Sequence, residues 1–311
     1  MSTSPVVIVG AGLCGLTLAA KLTAASVETL VLEKSKALGG RVATRRDGEA
    51  VYDHGAAFYS DSAPNIWHRR WSESNKAKVW FTENGQRYIC GTSGMTSLAK
   101  DLAQDLNLHF NEKAVQIENS NNSVHLFTDS GSVFKAKKVV FTCPLPQSLE
   151  ILNSSFISYP ENLNTISYSQ ALVGLFEVNG PVGLFDFNLL RTHSNLFTIA
   201  NNQAKGISQK LALSVVMSES WSLEHFKLGD ADILQLIQNE LQQYFKADLV
   251  IHKSQLKKWR YSQPTSIYHE KYVLLGDGQI LLAGDAFGGA SIAGAIRSAN
   301  AVFDHLIESK F

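Results

Sequence analysis

A net charge is the first thing this sequence lacks: 28 Lys and Arg stand against 28 Asp and Glu in 311 residues. Nothing in that balance draws the chain to nucleic acid or to an anionic membrane surface, so neither is expected as a partner, and any charged ligand must be recognised locally. Cysteine is scarce as well, with only Cys14, Cys90 and Cys143. Their odd number and scattered spacing suit neither a disulfide framework nor a zinc site, which makes them packing residues and points to the cytoplasm. No apolar run reaches the ~20 residues of a membrane span. The longest candidate, residues 6–22, has no basic start and is interrupted by Gly10, Gly12 and Gly15, so it does not read as a targeting segment. Internal repeats, low-complexity tracts and long linkers are missing too.

What is present is ordinary globular material, 45% hydrophobic and 18% charged, enough for two domains of roughly 100–200 residues each. Val6-Val7-Ile8-Val9 is a β-branched run suited to a central parallel strand buried on both faces. A helix over 13–24 with Leu16, Ala19, Ala20 and Thr23 on one face follows, then a strand over 28–33, completing a βαβ unit. The pattern predicts helices over 62–80, with Trp67 and Trp71 inward, and over 94–106. The cluster Trp67-His68-Arg69-Arg70-Trp71 has two readings, stacking on nucleic acid or two packed indoles between solvated bases. Three short strands fit 114–142, divided by Asn119-Ser120-Asn121-Asn122 and Asp129-Ser130-Gly131. Strands over 167–178 and 210–217 precede an amphipathic helix over 230–245, with Ile233, Leu236, Ile237, Leu241 and Tyr244 inward. A buried strand over 279–283 and a helix over 292–306 complete the chain. Its two ends look like pieces of one nucleotide domain, with a second domain inserted between them.

Gly10-Ala11-Gly12-Leu13-Cys14-Gly15 is a GxGxxG between a strand and a helix. The spacing permits a tight turn, close backbone approach to a pyrophosphate, and close helix–strand packing. The helix N-terminus adds free N–H groups and partial positive charge. Glu33 closes the second strand, where an acid accepts from adenosine ribose hydroxyls; a surface glutamate is the alternative. Gly39-Gly40-Arg41 then favours FAD over NAD, because FAD enzymes of the amine-oxidase and desaturase type carry a double glycine and arginine there. Tyr52-Asp53-His54-Gly55-Ala56 falls where that group has a D-x-G element beside the flavin. Leu281-Leu282-Ala283-Gly284-Asp285 puts an acid at a strand end, suited to the ribityl chain. The helix opening at Ile292-Ala293-Gly294 would aim its positive end at the flavin pyrimidine.

Beyond these motifs, VVIVGAGLCGLTLA from Val6, GGRVATR from Gly39, DHGAAF from Asp53, GTSGMTSLAKDLA from Gly91, VVFTCPLPQSLEIL from Val139, YSQALVGLFEV from Tyr168, KKWRYSQP from Lys257 and LLAGDAFGGASIAGAIRSA from Leu281 resemble the renalase-like branch of the flavin amine-oxidase superfamily nearly end to end. The resemblance implies an α/β fold, a Rossmann-like FAD domain over 1–60, 91–148 and 253–311, and an α+β substrate domain over 61–90 and 149–252. It also implies non-covalent FAD, since residues 284–300 contain no cysteine. Cofactor contacts are implied along Gly10–Gly15, at Glu33 and Lys34, at Gly40 and Arg41, from Gly55 through Ala56 and Ala57 to Phe58, at Val115 and Pro144, and at Gly284, Asp285, Ile292 and Ala293. The implied reaction is oxidation of 2-dihydro or 6-dihydro isomers of NAD(P)H, with O2 accepting the electrons and hydrogen peroxide released.

That chemistry needs alignment rather than a base, with the donor carbon within ~3–3.5 Å of flavin N5. In keeping with this, no catalytic diad stands out, and His193, His225, His252 and His269 are isolated. Two departures bear on specificity. Where such chains often carry Gln-Tyr, Ala57-Phe58 stands here, removing two polar groups from the expected flavin-facing wall. Trp259 and Tyr261 are pocket candidates or core. The other readings are an amine oxidase, which wants an aromatic pair and a lysine near N5, with Lys205 and Lys210 in the inserted segment, and a flavin-binding module without turnover.

Overall fold

The computed structural model describes residues 2–60, 66–120, 123–246 and 249–309. The chain divides into two compact units, one of Met1–Gly40, Ala99–Ser167 and Gln263–Phe311, the other of Arg41–Leu98 and Tyr168–Ser262. Residues 41–60, 91–98 and 253–262, grouped by sequence with the nucleotide segments, thus pack within the second unit, and 149–167 within the first. Strand pairing explains the difference. Thr44–Asp47 pairs with Ala50–Asp53, whose Ala50 and Tyr52 pack on Val173, Leu175 and Ala212, while Val250–Trp259 pairs along Ala171–Asn179.

The first unit is built on an eight-stranded sheet. Ser2–Val9 runs parallel between Thr29–Glu33 and Val133–Phe141, with Val7 opposite Leu30 on one side and Val139 on the other. Val6, Val7 and Ile8 are fully buried; because neighbouring side chains point to opposite faces, both faces of this strand are covered. Asn107–Phe110 and Ile280–Leu282 extend the parallel set outwards. The three strands expected over 114–142 occur as Ala114–Ser120, Ser123–Thr128 and Val133–Phe141; Asn121 and Asn122 of the first turn lie outside the described residues.

The helix Leu13–Ala24 packs against the helix Ile292–Glu308 as well as the sheet. That double contact changes its expected face. Leu13 through Ala19 and Leu22 are all buried, whereas Ala20 is half-buried and Thr23 is exposed.

In the second unit a five-stranded antiparallel sheet runs in the order Leu189–Arg191, Leu196–Asn201, Ala212–Met217, Ala171–Asn179, Val250–Trp259. The helix Asp230–Phe245 buries Ile233, Ile237 and Leu241 among Leu172, Phe176, Ile199 and Leu213. Leu236 is only half-buried, and Tyr244 is 40% exposed rather than inward.

Of the long helix expected over 62–80, residues 62–65 lie outside the described residues, and the described part is cut short. Ile66–Glu73 is helical, Asn75 adopts a left-handed turn at φ 54°, and Ala77–Glu83 is a strand paired with Gln86–Gly91. Trp67 and Trp71 are buried, while Arg69 is exposed and ion-paired with Glu73, so the packing reading of this cluster holds. The expected helix over 94–106 forms only over Thr96–Leu102. Among the described residues no helix is long and apolar enough to cross a membrane.

Candidate functional site

In the first unit the chain leaves Val9 and turns at Gly10, whose φ of 110° suits only glycine. Thr142, at the end of the neighbouring strand, donates its hydroxyl to the carbonyls of Val9 and Gly10, both at 3.0 Å. A Cβ at Gly15 would lie 2.1 Å from the Gly10 carbonyl oxygen, so the third glycine is required by packing. Gly12 is different. Its φ of −81° is open to any residue, and a Cβ there meets nothing within 4 Å. Neither backbone strain nor a clash requires glycine at this position; it is the helix N-cap, which glycine suits, and the position where the dinucleotide motif needs room for a ligand. Gly12 also caps the helix Leu13–Ala24 without any side-chain bond to its first N–H groups, and those donors are what a phosphate takes up.

Glu33 faces this loop and is 7% exposed. The Ala11 N–H donates to Oε2 at 2.9 Å, and the Ser35 N–H and hydroxyl donate to Oε1 at 2.8 and 2.7 Å. The acid thus ties the glycine loop to the strand end, a role that sequence reasoning missed. Gly39 donates its N–H to the Ala11 carbonyl at 2.8 Å, and a Cβ on Gly40 would lie 3.4 Å from the Gly12 Cα, so the double glycine runs beside the first loop. Pro144 follows Thr142 and caps the helix Leu145–Ser154. Lys34 bonds Gln147 at 3.1 Å, and Val115 is 36% exposed on the strand Ala114–Ser120. Gly284 donates its N–H to Ser298 Oγ at 2.9 Å, and Asp285, 8% exposed, opens the short helix Asp285–Gly288. Ile292 and Ala293 begin the last helix, where Ser291 already accepts the Gly294 N–H at 3.0 Å.

The remaining candidates lie in the second unit. Arg41 donates to the Ser262 carbonyl at 3.1 Å and sits 5.6 Å over the Tyr168 ring, with Tyr261 edge-on to the same ring at 5.9 Å. Gly55 packs so closely that a Cβ would lie 2.0 Å from the Arg41 carbonyl oxygen, which the Ala56 N–H also bonds at 2.8 Å. Asp53 is fully buried. Its Oδ1 accepts the Thr44 hydroxyl at 2.6 Å and the Met95 N–H at 2.8 Å, and its Oδ2 meets Lys205 Nζ at 2.6 Å. Nothing local to either residue announces that pair. Phe58 lies edge-on to Tyr88, 4.9 Å between centroids; Tyr88 stacks on Phe81 and carries Arg191 5.0 Å over its ring. Trp259 stacks on His54 at 5.5 Å and donates its indole N–H to the His54 carbonyl at 2.8 Å, so it braces the same turn.

The electrostatics are quiet. Burial lowers His54 to about 4, helped by the nearby Lys257 charge, so the ring is neutral at pH 7. Burial also raises the Cys90 and Cys143 thiols, which keeps them protonated and unreactive. His225 is held by the Trp221 carbonyl at 2.8 Å, and His269 is an exposed neighbour of Glu270. Among the described residues no group of three or more His, Cys, Asp or Glu is placed to hold a metal ion.

A strand, glycine loop and helix answered by an acid on the second parallel strand, with a second acid at another strand end, define the class: an FAD-dependent oxidoreductase with a Rossmann-like dinucleotide fold, its flavin bound non-covalently. The flavin containing amine oxidoreductase family matches residues 71–304, and an NAD(P)-binding Rossmann-like domain matches residues 8–72. The chain therefore belongs to the flavin-containing amine oxidoreductase family. It is similar to renalase of Mus musculus, 26% identical over 96% of this chain and 97% of that protein. In fold it matches the crystal structure of a protein provisionally named protoporphyrinogen oxidase from Exiguobacterium sp. 255-15. The TM-score is 0.80 over 100% of this chain and 99% of that one, at 14% identity.

Proposed function

We propose that the chain oxidises isomeric dihydronicotinamide nucleotides, the 2- or 6-dihydro forms of NAD(P)H, and returns ordinary NAD(P)+. FAD, when bound, would supply the two-electron acceptor for that hydride, with O2 as the final acceptor and hydrogen peroxide as the product. In this reading the loop Gly10–Gly15, with the positive N-terminal end of its helix, holds the pyrophosphate. The remaining acceptor capacity of Glu33 takes a ribose hydroxyl, since three protein donors leave one of its about four lone-pair positions. Asp285 would hold the ribityl chain, and the family resemblance assigns further flavin contacts to Gly55, Ala56, Ala57 and Phe58.

One observation carries the choice of substrate: the turn from Asp53 to Phe58 offers no strong base. Lys205 is committed to Asp53, Lys210 is paired with Glu49 at 3.1 Å, and burial lowers His54 to about 4, which leaves its neutral ring a poor proton acceptor. A dihydropyridine donates hydride once aligned and needs no deprotonation, whereas an amine must first be held neutral and desolvated. The similarity to renalase along nearly the whole chain supports the same reading.

Anaerobic rapid mixing tests it. Isomeric dihydronicotinamides should bleach the bound flavin much faster than ordinary NADH or a panel of amines, and admitting O2 should return the colour with one peroxide per turnover. Fast bleaching by amines but not by the isomers would establish an amine oxidase instead, and no bleaching by either would leave a binding module.

A further inference from the structure

We propose that Lys205 is a positioning residue that clamps the turn bearing Ala57 and Phe58; the inference rests on the reading above for what that turn faces. The Lys205 side chain is fully buried, and its ammonium bridges the two ends of the turn, bonding Asp53 Oδ2 at 2.6 Å and the Ala57 carbonyl. The face of Trp80 lies 4.8 Å from the same nitrogen. Two hydrogen bonds and an aromatic face thus hold the ammonium from three sides.

The anchor is itself fixed. The Lys205 N–H bonds the Asn201 carbonyl at 3.0 Å, and Gly206 and Ile207 close the loop on Gln203 and Asn202. Asn202 donates to Ser214 Oγ at 2.9 Å and to the Ala212 carbonyl at 3.1 Å, and its Oδ1 receives the Asp53 N–H at 3.3 Å. A loop rooted in the five-stranded sheet therefore sets the position of a turn 148 residues away in sequence. Gly55, pressed on the Arg41 carbonyl, leaves the turn little room to relax around a missing clamp. A pair of apolar side chains would fill this space without the desolvation penalty of two buried ions. Only a long cation joins a carboxylate to a carbonyl four residues further on.

The test uses full-length Lys205→Met, Lys205→Arg and the double variant Asp53→Asn/Lys205→Met, which folds without an unpaired buried charge. In flavin-free protein, the amides of residues 54–58 should exchange with deuterium at least tenfold faster in both Met-bearing variants, while those of Ala171–Asn179 stay as in the parent. In holoenzyme, the limiting rate of flavin reduction by a dihydronicotinamide isomer, per bound flavin, should fall tenfold or more, with partial recovery in Lys205→Arg. Unchanged exchange at 54–58 overturns the proposal. So does exchange raised throughout the sheet with reduction per bound flavin intact, which is the signature of a merely structural ion pair. If no dihydronicotinamide reduces the parent enzyme, the substrate reading fails; the exchange pattern and any shift of the flavin visible band in the Met variants still decide the role of Lys205.

Discussion

Two glycines three residues apart should fail in opposite ways. Gly15→Ala puts a methyl carbon 2.1 Å from the Gly10 carbonyl oxygen and 2.7 Å from Thr142 Oγ1. Overpacking typically costs about 1–3 kcal/mol, and a main-chain oxygen cannot rotate away, so the upper end applies. Alanine's better helix propensity returns up to about 1 kcal/mol. The net loss of about 2 kcal/mol should lower the melting temperature of the flavin-free protein by roughly 4–8 °C. Gly12→Ala adds its methyl where no protein atom lies within 4 Å, at a φ that alanine accepts. Its flavin-free stability should change by less than about 1 kcal/mol, the difference between glycine and alanine as an N-cap. The methyl intrudes instead on the approach of the pyrophosphate. Losing one charge-assisted hydrogen bond there, about 1.5–3 kcal/mol, weakens FAD binding by roughly 10- to 150-fold. Thermal melts of stripped protein and fluorescence titration with FAD separate the two effects. Parent-like FAD affinity in Gly12→Ala, or a parent-like melt in Gly15→Ala, would refute the assignment of the first glycine to the ligand and the second to packing.

Glu33→Ala should both loosen FAD by about 1.5–3 kcal/mol and destabilise the flavin-free protein by about 1–3 kcal/mol, because the buried Ala11 N–H loses its acceptor; a flavin titration and a urea melt read the two, and unchanged flavin occupancy after dialysis removes Glu33 as a ribose acceptor. His54 stays neutral down to about 4 in the fold but takes a proton near its ordinary 6.5 once unfolded. Its contribution is therefore fully present above pH 6.5 and lost progressively as pH falls towards 4, on the order of 3 kcal/mol in all. His54→Phe should flatten urea midpoints between pH 7 and 5, and an unaltered slope would assign the acid sensitivity to other groups. Acid precipitation should release intact FAD into the supernatant, since residues 284–300 hold no cysteine; flavin left on the pellet would contradict that expectation.

Much of the nucleotide half was legible because its requirements are local. A β-branched run buried on both faces, glycines at a spacing imposed by turn and packing, and an acid one strand further on all lie within residues 6–33. The helix Asp230–Phe245 was equally readable from its period, although the inward position after Leu241 is taken by Phe245, four residues on, and Tyr244 goes to the surface. Where a segment's state depended on a distant partner, the sequence was silent. The residues 41–60 pack with the inserted segment because Tyr52 finds Val173 and Leu175, whereas the hairpin of Ala77–Glu83 and Gln86–Gly91 was signalled locally by Val79-Trp80-Phe81-Thr82 and the turn Asn84-Gly85, a signal that the helix expectation overrode. Lys205 and Asp53 stand 152 residues apart, and neither neighbourhood hints at the other. Propensity and periodicity act over a few residues, whereas a buried ion pair is selected by whichever chain segments topology brings together. The sequence therefore determined the cofactor class and the glycine loop at the end of the first strand, and only tertiary packing decided what holds the turn from Asp53 to Phe58.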